Sequence, residues 1–169
     1  AGVFHAAGAL DDGMLRLQNW DRFSRVMRPK VAGAWLLHEL AADLDLFVLF
    51  SSGVALVGGH GQGNYAAANA FLDALAQYRR AAGLPAVSIA WGPWTDVGMM
   101  ARTDDRARAR MAQVGVQTID TADGLRMLAK VIQGERAHVA PLRIDWRQMA
   151  SAIPPTPFWA RLARAPART

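Results

Sequence analysis

Tyr65 and Asn69 stand four residues apart in Gln62-Gly-Asn-Tyr-Ala-Ala-Ala-Asn69, thirteen residues beyond Ser52, which closes the strand-like run Leu46-Phe-Val-Leu-Phe-Ser-Ser52. Residues at i and i+4 share one helix face, so a helix here would present the phenol and the amide together. A phenol, with an ordinary pKa of about 10, can give its proton to a carbonyl oxygen as hydride reaches the carbon. That requires a cation and hydroxyl donors to favour the developing phenolate. Ser52 offers the hydroxyl. Lys30, in Arg28-Pro-Lys-Val-Ala-Gly-Ala-Trp35, is the candidate cation, and it is one of only two lysines beside seventeen arginines. Singly, each residue also fits a plain structural part: Tyr65 a packed aromatic, Asn69 a polar residue on a solvent-facing turn, Ser52 a helix cap, Lys30 a solvated charge. All four in this order are much harder to assign to chance.

The elements that must position them are legible from the pattern. Gly2-Val-Phe-His5 reads as a buried strand that leads through Ala6-Ala-Gly8 into a loop, and an amphipathic helix follows over 20–41. The second strand, 46–50, delivers Ser52 to its carboxyl end, where open α/β sheets bind ligands. A helix over 65–82 is closed by Gly83, and a third strand over 86–91 is broken by Gly92-Pro93. Residues 95–118 are polar and arginine-rich, and read as a loop plus a short helix able to cover the site. A helix over 120–133, capped by Asp120 or Thr121, precedes a fourth strand over 138–142. After Trp146 the apolar pattern fades, and Pro154-Pro-Thr-Pro157 with its Ala/Arg tail reads as a linker. Strands alternating with helices imply an α/β, Rossmann-like parallel sheet with flanking helices and right-handed crossovers.

Composition narrows the function classes. With 169 residues and 52% hydrophobic content the chain can bury one substantial core. It has no cysteine, which removes thiolate and disulfide chemistry and is compatible with a cytoplasmic setting. The four histidines (His5, His38, His60, His138) lack metal-ligand spacing, and the apolar runs are too short for a membrane span. The charge of +5 and pI of 10.7 come from arginines dispersed among alanines. That pattern suits an anionic cofactor or an acidic partner better than nucleic acid.

Leu49-Phe-Ser-Ser52, Gly61-Gln-Gly-Asn-Tyr-Ala-Ala-Ala-Asn-Ala-Phe-Leu-Asp-Ala-Leu75 and Ser88-Ile-Ala-Trp-Gly-Pro-Trp94 resemble the ketoreductase domain of modular type I polyketide synthases, within the short-chain dehydrogenase/reductase superfamily. Most of that superfamily carries Tyr-x-x-x-Lys with an asparagine on the preceding helix. The polyketide ketoreductases look as if lysine and asparagine have exchanged places, and this chain has the exchanged arrangement. The resemblance runs from about Val3 to Trp146. It implies reduction, with NADPH, of a β-ketoacyl thioester held by phosphopantetheine on an acyl carrier protein. Tyr65 would protonate the oxygen, Ser52 would position it, Lys30 would lower the phenol pKa, and Asn69 would hold the proton-relay geometry.

By the same resemblance Ala6, Ala7 and Gly8 line the cofactor ribose, and Gly92 and Pro93 place backbone groups near its carboxamide; plain turn chemistry is the competing reading. Trp94, Met99 and Met100 fall where the family has substrate-facing residues before a mobile lid, although such residues also pack in cores. Leu10-Asp-Asp12 resembles the fingerprint of B-type ketoreductases. The opposite class has a tryptophan eight residues before the tyrosine, where this chain has Val57. A solvated turn or a helix cap is the plainer reading of Asp11 and Asp12.

No Gly-x-Gly-x-x-Gly follows a strand. Gly58-Gly-His-Gly-Gln-Gly63 follows the Ser52 strand and suits an active-site floor better than a pyrophosphate cradle. In a sheet of order 3-2-1-4-5-6-7 the chain would supply strands four onward, lacking the N-terminal strands. Residues 1–149 are then expected to be the C-terminal portion of a ketoreductase domain within a multienzyme, and 150–169 a linker. The open edge of the first strand should pair with the upstream half or with a second copy, or else lead to aggregation. Two alternatives are a non-catalytic structural or interaction module and a free-standing reductase of fatty-acid or secondary metabolism.

Overall fold

The computed structural model of the chain describes residues 1–41, 43–95, 97 and 105–152. These fall into two compact units: residues 1–91 with 125–141, and residues 92–124 with the chain from 142 onward.

The first unit is built on four parallel strands in sequential order: β1 (Gly2–His5), β2 (Leu46–Ser52), β3 (Val87–Trp91) and β5 (His138–Val139). β2 and β3 read as nearly unbroken apolar runs because helices cover a parallel sheet and leave no face for water. All five residues of β3 are buried. The register sets Phe50 beside Ile89 and Ser52 beside Trp91, so Ser52 comes to rest at the carboxyl edge.

The expected helix over 20–41 is three pieces in one continuous path. α1 (Trp20–Met27) is capped by Asn19, whose side chain accepts the Arg22 N–H. A π-helical turn follows over Arg28–Ala32, and α2 (Gly33–Leu40) continues from it. The widened turn begins where Pro29 withholds a backbone donor, and it carries Lys30. After β2 comes the short α3 (Val54–Val57), which pattern reading passed over, and then α4 (Gly63–Ala81). α4 ends as expected at Gly83, whose φ of 75° is the left-handed conformation that glycine tolerates. There the Leu84 N–H returns to the Arg79 carbonyl at 2.9 Å. α2 and α4 pack on the sheet through Ala34, Phe47, Leu49, Leu72, Leu75, Ala76 and Ala86. A second cluster joins Val26 of α1 to Tyr65 and Ala68 of α4.

The second unit contains α5 (Asp105–Gln113) and an antiparallel pair, β4 (Val116–Gln117) with β6 (Arg143–Ile144). β4 and β6 were not legible as strands, being two residues each. α6 (Thr121–Ile132) leads back into the first unit and has Asp120 as its cap, accepting the Asp123 N–H at 2.7 Å. The fourth parallel strand is shorter than the expected 138–142, since Pro141 offers no donor to a ladder. α7 (Trp146–Ala152) runs past residue 150 and buries Met149. The Pro-rich stretch, Met99 and Met100 lie outside the described residues.

Candidate active site

Tyr65 lies in the first turn of α4, and its ring is buried against Val26 and Ala68. Asn69 is one turn on and wholly buried; its Nδ2 donates to the Tyr65 carbonyl at 2.8 Å, and its own carbonyl accepts from the Ser51 hydroxyl at 3.2 Å. The two adjacent serines therefore divide the work. Ser51 ties α4 to β2, and Ser52, at the edge, holds the Val54 N–H at 3.3 Å. Lys30 reaches in from the π-helical turn. Its ammonium donates to the Phe50 carbonyl at 2.9 Å and stands 5.6 Å from the centre of the Tyr65 ring. The four residues singled out from sequence thus meet at the carboxyl end of β2.

Burial governs the electrostatics. It pushes the Tyr65 phenol above its usual value, with Asn69 and Ser52 pulling the other way as hydrogen-bond partners and the charge of Asp12 adding to the rise. The net direction is opposite to the lowering expected from Lys30, because removing a phenolate from water outweighs the two donors. Tyr65 is accordingly a neutral phenol, able to give a proton. Lys30 is pulled down to about 8 by desolvation, with Asp73 acting in the opposite sense.

Asp11 and Asp12 are fastened to the head of α4, and Leu10 beside them is exposed. The Asp11 carboxylate is clasped by Arg22, Nε to Oδ1 at 2.7 Å, and by Arg25 at 2.8 Å, while its carbonyl accepts from Asn64 Nδ2 at 2.8 Å. Asp12 accepts from Gln62 at 2.9 Å, and burial raises its carboxyl pKa. The Gly13 N–H bonds the Gly61 carbonyl at 2.8 Å. Asp11 is thus an ion-paired anchor rather than a solvated turn residue. Val57 is half-buried at the end of α3, between Ser52 and α4. Ala6, Ala7 and Gly8 follow β1 as exposed small residues. Gly92, Pro93 and Trp94 belong to the second unit. There Pro93 and Thr95 bracket Ile119 through backbone bonds at 2.7 and 2.9 Å, and the Trp94 ring lies so close over Gly124 that a Cβ there would fall 2.3 Å away.

Three residues escaped pattern reading. Asn64 is fully buried and holds both the Asp11 carbonyl and, through Oδ1, the Tyr65 N–H at 2.8 Å. Its signal was its place just before the tyrosine, where asparagine commonly bonds backbone groups. His5 is buried with Nε2 unpartnered, and desolvation together with the Lys30 charge lowers its pKa. Asp73 is buried, eight residues after Tyr65 on the same helix face.

The KR domain family matches residues 1–96, more than half of the chain. The chain belongs to the ketoreductase (KR) domain family of modular polyketide synthases. Among relatives of this KR chain, polyketide synthase GfsB of Streptomyces halstedii is 45% identical over 172 residues, which is 99% of this chain and 3% of that protein. The ketoreductase from the first module of phoslactomycin biosynthesis in Streptomyces sp. HK803 superimposes with a TM-score of 0.89 at 35% identity, covering 99% of this chain and 39% of that one. An A-type ketoreductase from a modular polyketide synthase gives 0.83 at 44% identity, covering 89% of this chain and 32% of that one. The KR chain therefore spans about a third of the length of these solved ketoreductases. Their α/β fold, a parallel sheet flanked by helices, is the fold described above. No helix among the described residues is long and apolar enough to cross a membrane.

Proposed function

We propose that the chain carries the acid half of an NADPH-dependent β-ketoacyl reduction, acting on a thioester held by an acyl carrier protein. The observation that carries this reading is the buried Tyr65 phenol with Asn69 one turn on along α4, Ser52 at the edge of β2 and the Lys30 ammonium over its ring. When bound, the dihydronicotinamide supplies the hydride that reaches the β-carbon. As the carbonyl π pair moves onto oxygen, Tyr65 transfers its proton to that oxygen and is left as phenolate. Ser52 donates a hydrogen bond to the same oxygen and fixes its position. Lys30 is already in place, so it stabilises the phenolate as charge develops, with no reorganisation.

The residues present fit such a cofactor. Asn69 Oδ1 is buried without a hydrogen-bond partner and can accept from a ribose hydroxyl or a relay water. Ala6, Ala7 and Gly8 leave the end of β1 free of bulky side chains, and Gly92 and Pro93 follow β3. We place the upstream half of a ketoreductase beside β1, whose outer edge has no strand partner among the described residues. A second copy is the other candidate for that edge, and a cytoplasmic setting suits the reaction. B-type stereochemistry is part of the proposal: it rests on the Leu10-Asp11-Asp12 motif, whose two aspartates are fastened to the start of α4, and on Val57 standing where the other class has tryptophan. NADPH oxidation with a β-ketoacyl thioester, followed by chiral analysis of the hydroxy product, tests all of this. No turnover by the chain joined to an upstream half would instead favour a structural module.

A further inference from the structure

The geometry points to Asp73 as a positioning residue: a buried carboxylate, steered by Ser88 and His138, that keeps Lys30 a cation beside Tyr65. Tyr65, Asn69 and Asp73 follow one another at four-residue spacing and so share the face of α4 turned toward the sheet. Asp73 Oδ1 accepts the Ser88 hydroxyl at 2.6 Å and has His138 Nε2 at 3.5 Å. Ser88 lies opposite Leu49 in the β2–β3 register, and His138 opposite Ser88. The serine that holds the carboxylate is thus paired with Leu49, the residue just before Phe50, whose carbonyl holds Lys30.

Lys30 needs such a partner. It is 3% exposed, its one hydrogen bond goes to a neutral carbonyl, and no carboxylate among the described residues stands within ion-pair distance of it. A buried ammonium left to itself discards its proton. The Lys30 ammonium stands over the Tyr65 ring on α4, and the other titratable groups whose charge bears on it are Asp73 on α4 and His5 on β1. The phenol is neutral, and His5 would add only positive charge. Asp73 alone brings an anion. An asparagine could accept the Ser88 hydroxyl equally well, so holding α4 to the sheet does not by itself call for a buried charge, which is costly. Asp73 acts across a distance on Lys30 and touches no reacting atom.

This inference rests on Lys30 having the part given to it above, but its test needs neither substrate nor cofactor. The chain has two lysines, Lys30 and Lys130, so lysine labelled with ¹³C at Cε gives two resonances, and exposed Lys130 serves as the internal reference. In the parent chain Lys30 should titrate near 8. Asp73→Asn should lower that midpoint by about one pH unit. At pH 8 its charged fraction would then drop from about a half to about a tenth, with Lys130 unmoved. Asp73→Glu should restore most of the midpoint, and Asp73→Ser, smaller but still able to bond Ser88, serves if the asparagine variant misfolds. An unchanged or raised midpoint in a folded uncharged variant overturns the inference, as does an ordinary lysine midpoint in the parent chain. If Asp73 moves Lys30 but no β-ketoacyl thioester is reduced, the functional reading falls and this one stands; reduction with Lys30 indifferent to Asp73 gives the reverse.

Discussion

The two ends of α4 each border a buried cation, and they treat it differently. Near the carboxyl end of the helix, Arg79 is fully buried. Its Nε donates to the Pro85 carbonyl at 3.2 Å, one amino group meets His38 Nδ1 at 2.9 Å, and its guanidinium lies 4.0 Å from the centre of the Phe47 ring. Near the amino end, Lys30 has one carbonyl and the face of a phenol ring. Arginine keeps its charge under any condition a protein meets, so Arg79 can knit α2, α4 and the following loop together permanently. Lysine is held close to its own titration point. The structural end is held by two hydrogen bonds and a ring contact, and the other end is left able to respond to charge appearing on Tyr65.

Substitutions at the two ends should separate activity from stability. Tyr65→Phe removes the proton donor and should lower ketone reduction by about 10²–10⁴-fold, whereas Tyr78→Phe, on the exposed flank of the same helix, should change it less than about twofold. Steady-state kinetics on folded protein checks both. Lys30→Met should cost about a hundredfold in kcat, since only transition-state charge is lost. Arg79→Met should leave kcat per folded molecule nearly intact and lower stability by about 2–4 kcal/mol, read by denaturant melts.

A pH series sharpens the contrast. Lys30 is a cation below about 8 and neutral above it, so the reduction rate should decline as pH rises through about 8, while the phenol, pushed above its usual value, stays protonated. Stability should move the other way. The folded pKa of Lys30 lies below the unfolded value of 10.5, so the unfolded chain binds more protons between the two. Burying the charge costs stability fully below about 8, and the cost is relieved as pH climbs toward 10.5. Tyr65 contributes an opposite slope only at pH above its unfolded value of 10.0, leaving pH 8–10 to Lys30. Arg79→Met should keep that slope, and Lys30→Met should abolish it. The smallest effect expected is at Asp11: Asp11→Asn weakens the clasp of Arg22 and Arg25 and should erode product stereochemistry a few-fold, with little change in rate.

The site was legible where chemistry and local period coincide. Tyr65 and Asn69 share a helix face by spacing alone, and the apolar run before Ser52 could only be a buried strand, so the convergence of both at one edge followed. What the pattern did not carry depends on contacts distant in sequence. The π-helical turn at Lys30 arises where Pro29 interrupts an otherwise helical stretch, and amphipathic periodicity is blind to a one-residue widening. Asp73 and Ser88 look like an ordinary helix carboxylate and strand hydroxyl until packing removes water from both. The direction of the Tyr65 shift also escaped, because a sequence names the donors and the cation but not the degree of burial that outweighs them.

The most direct test follows NADPH oxidation with a simple β-ketoacyl thioester, using the chain joined to a ketoreductase upstream half and the same protein carrying Tyr65→Phe. The account predicts turnover in the first and loss of at least a hundredfold in the second. Turnover that survives Tyr65→Phe, or none in the joined protein, would contradict it.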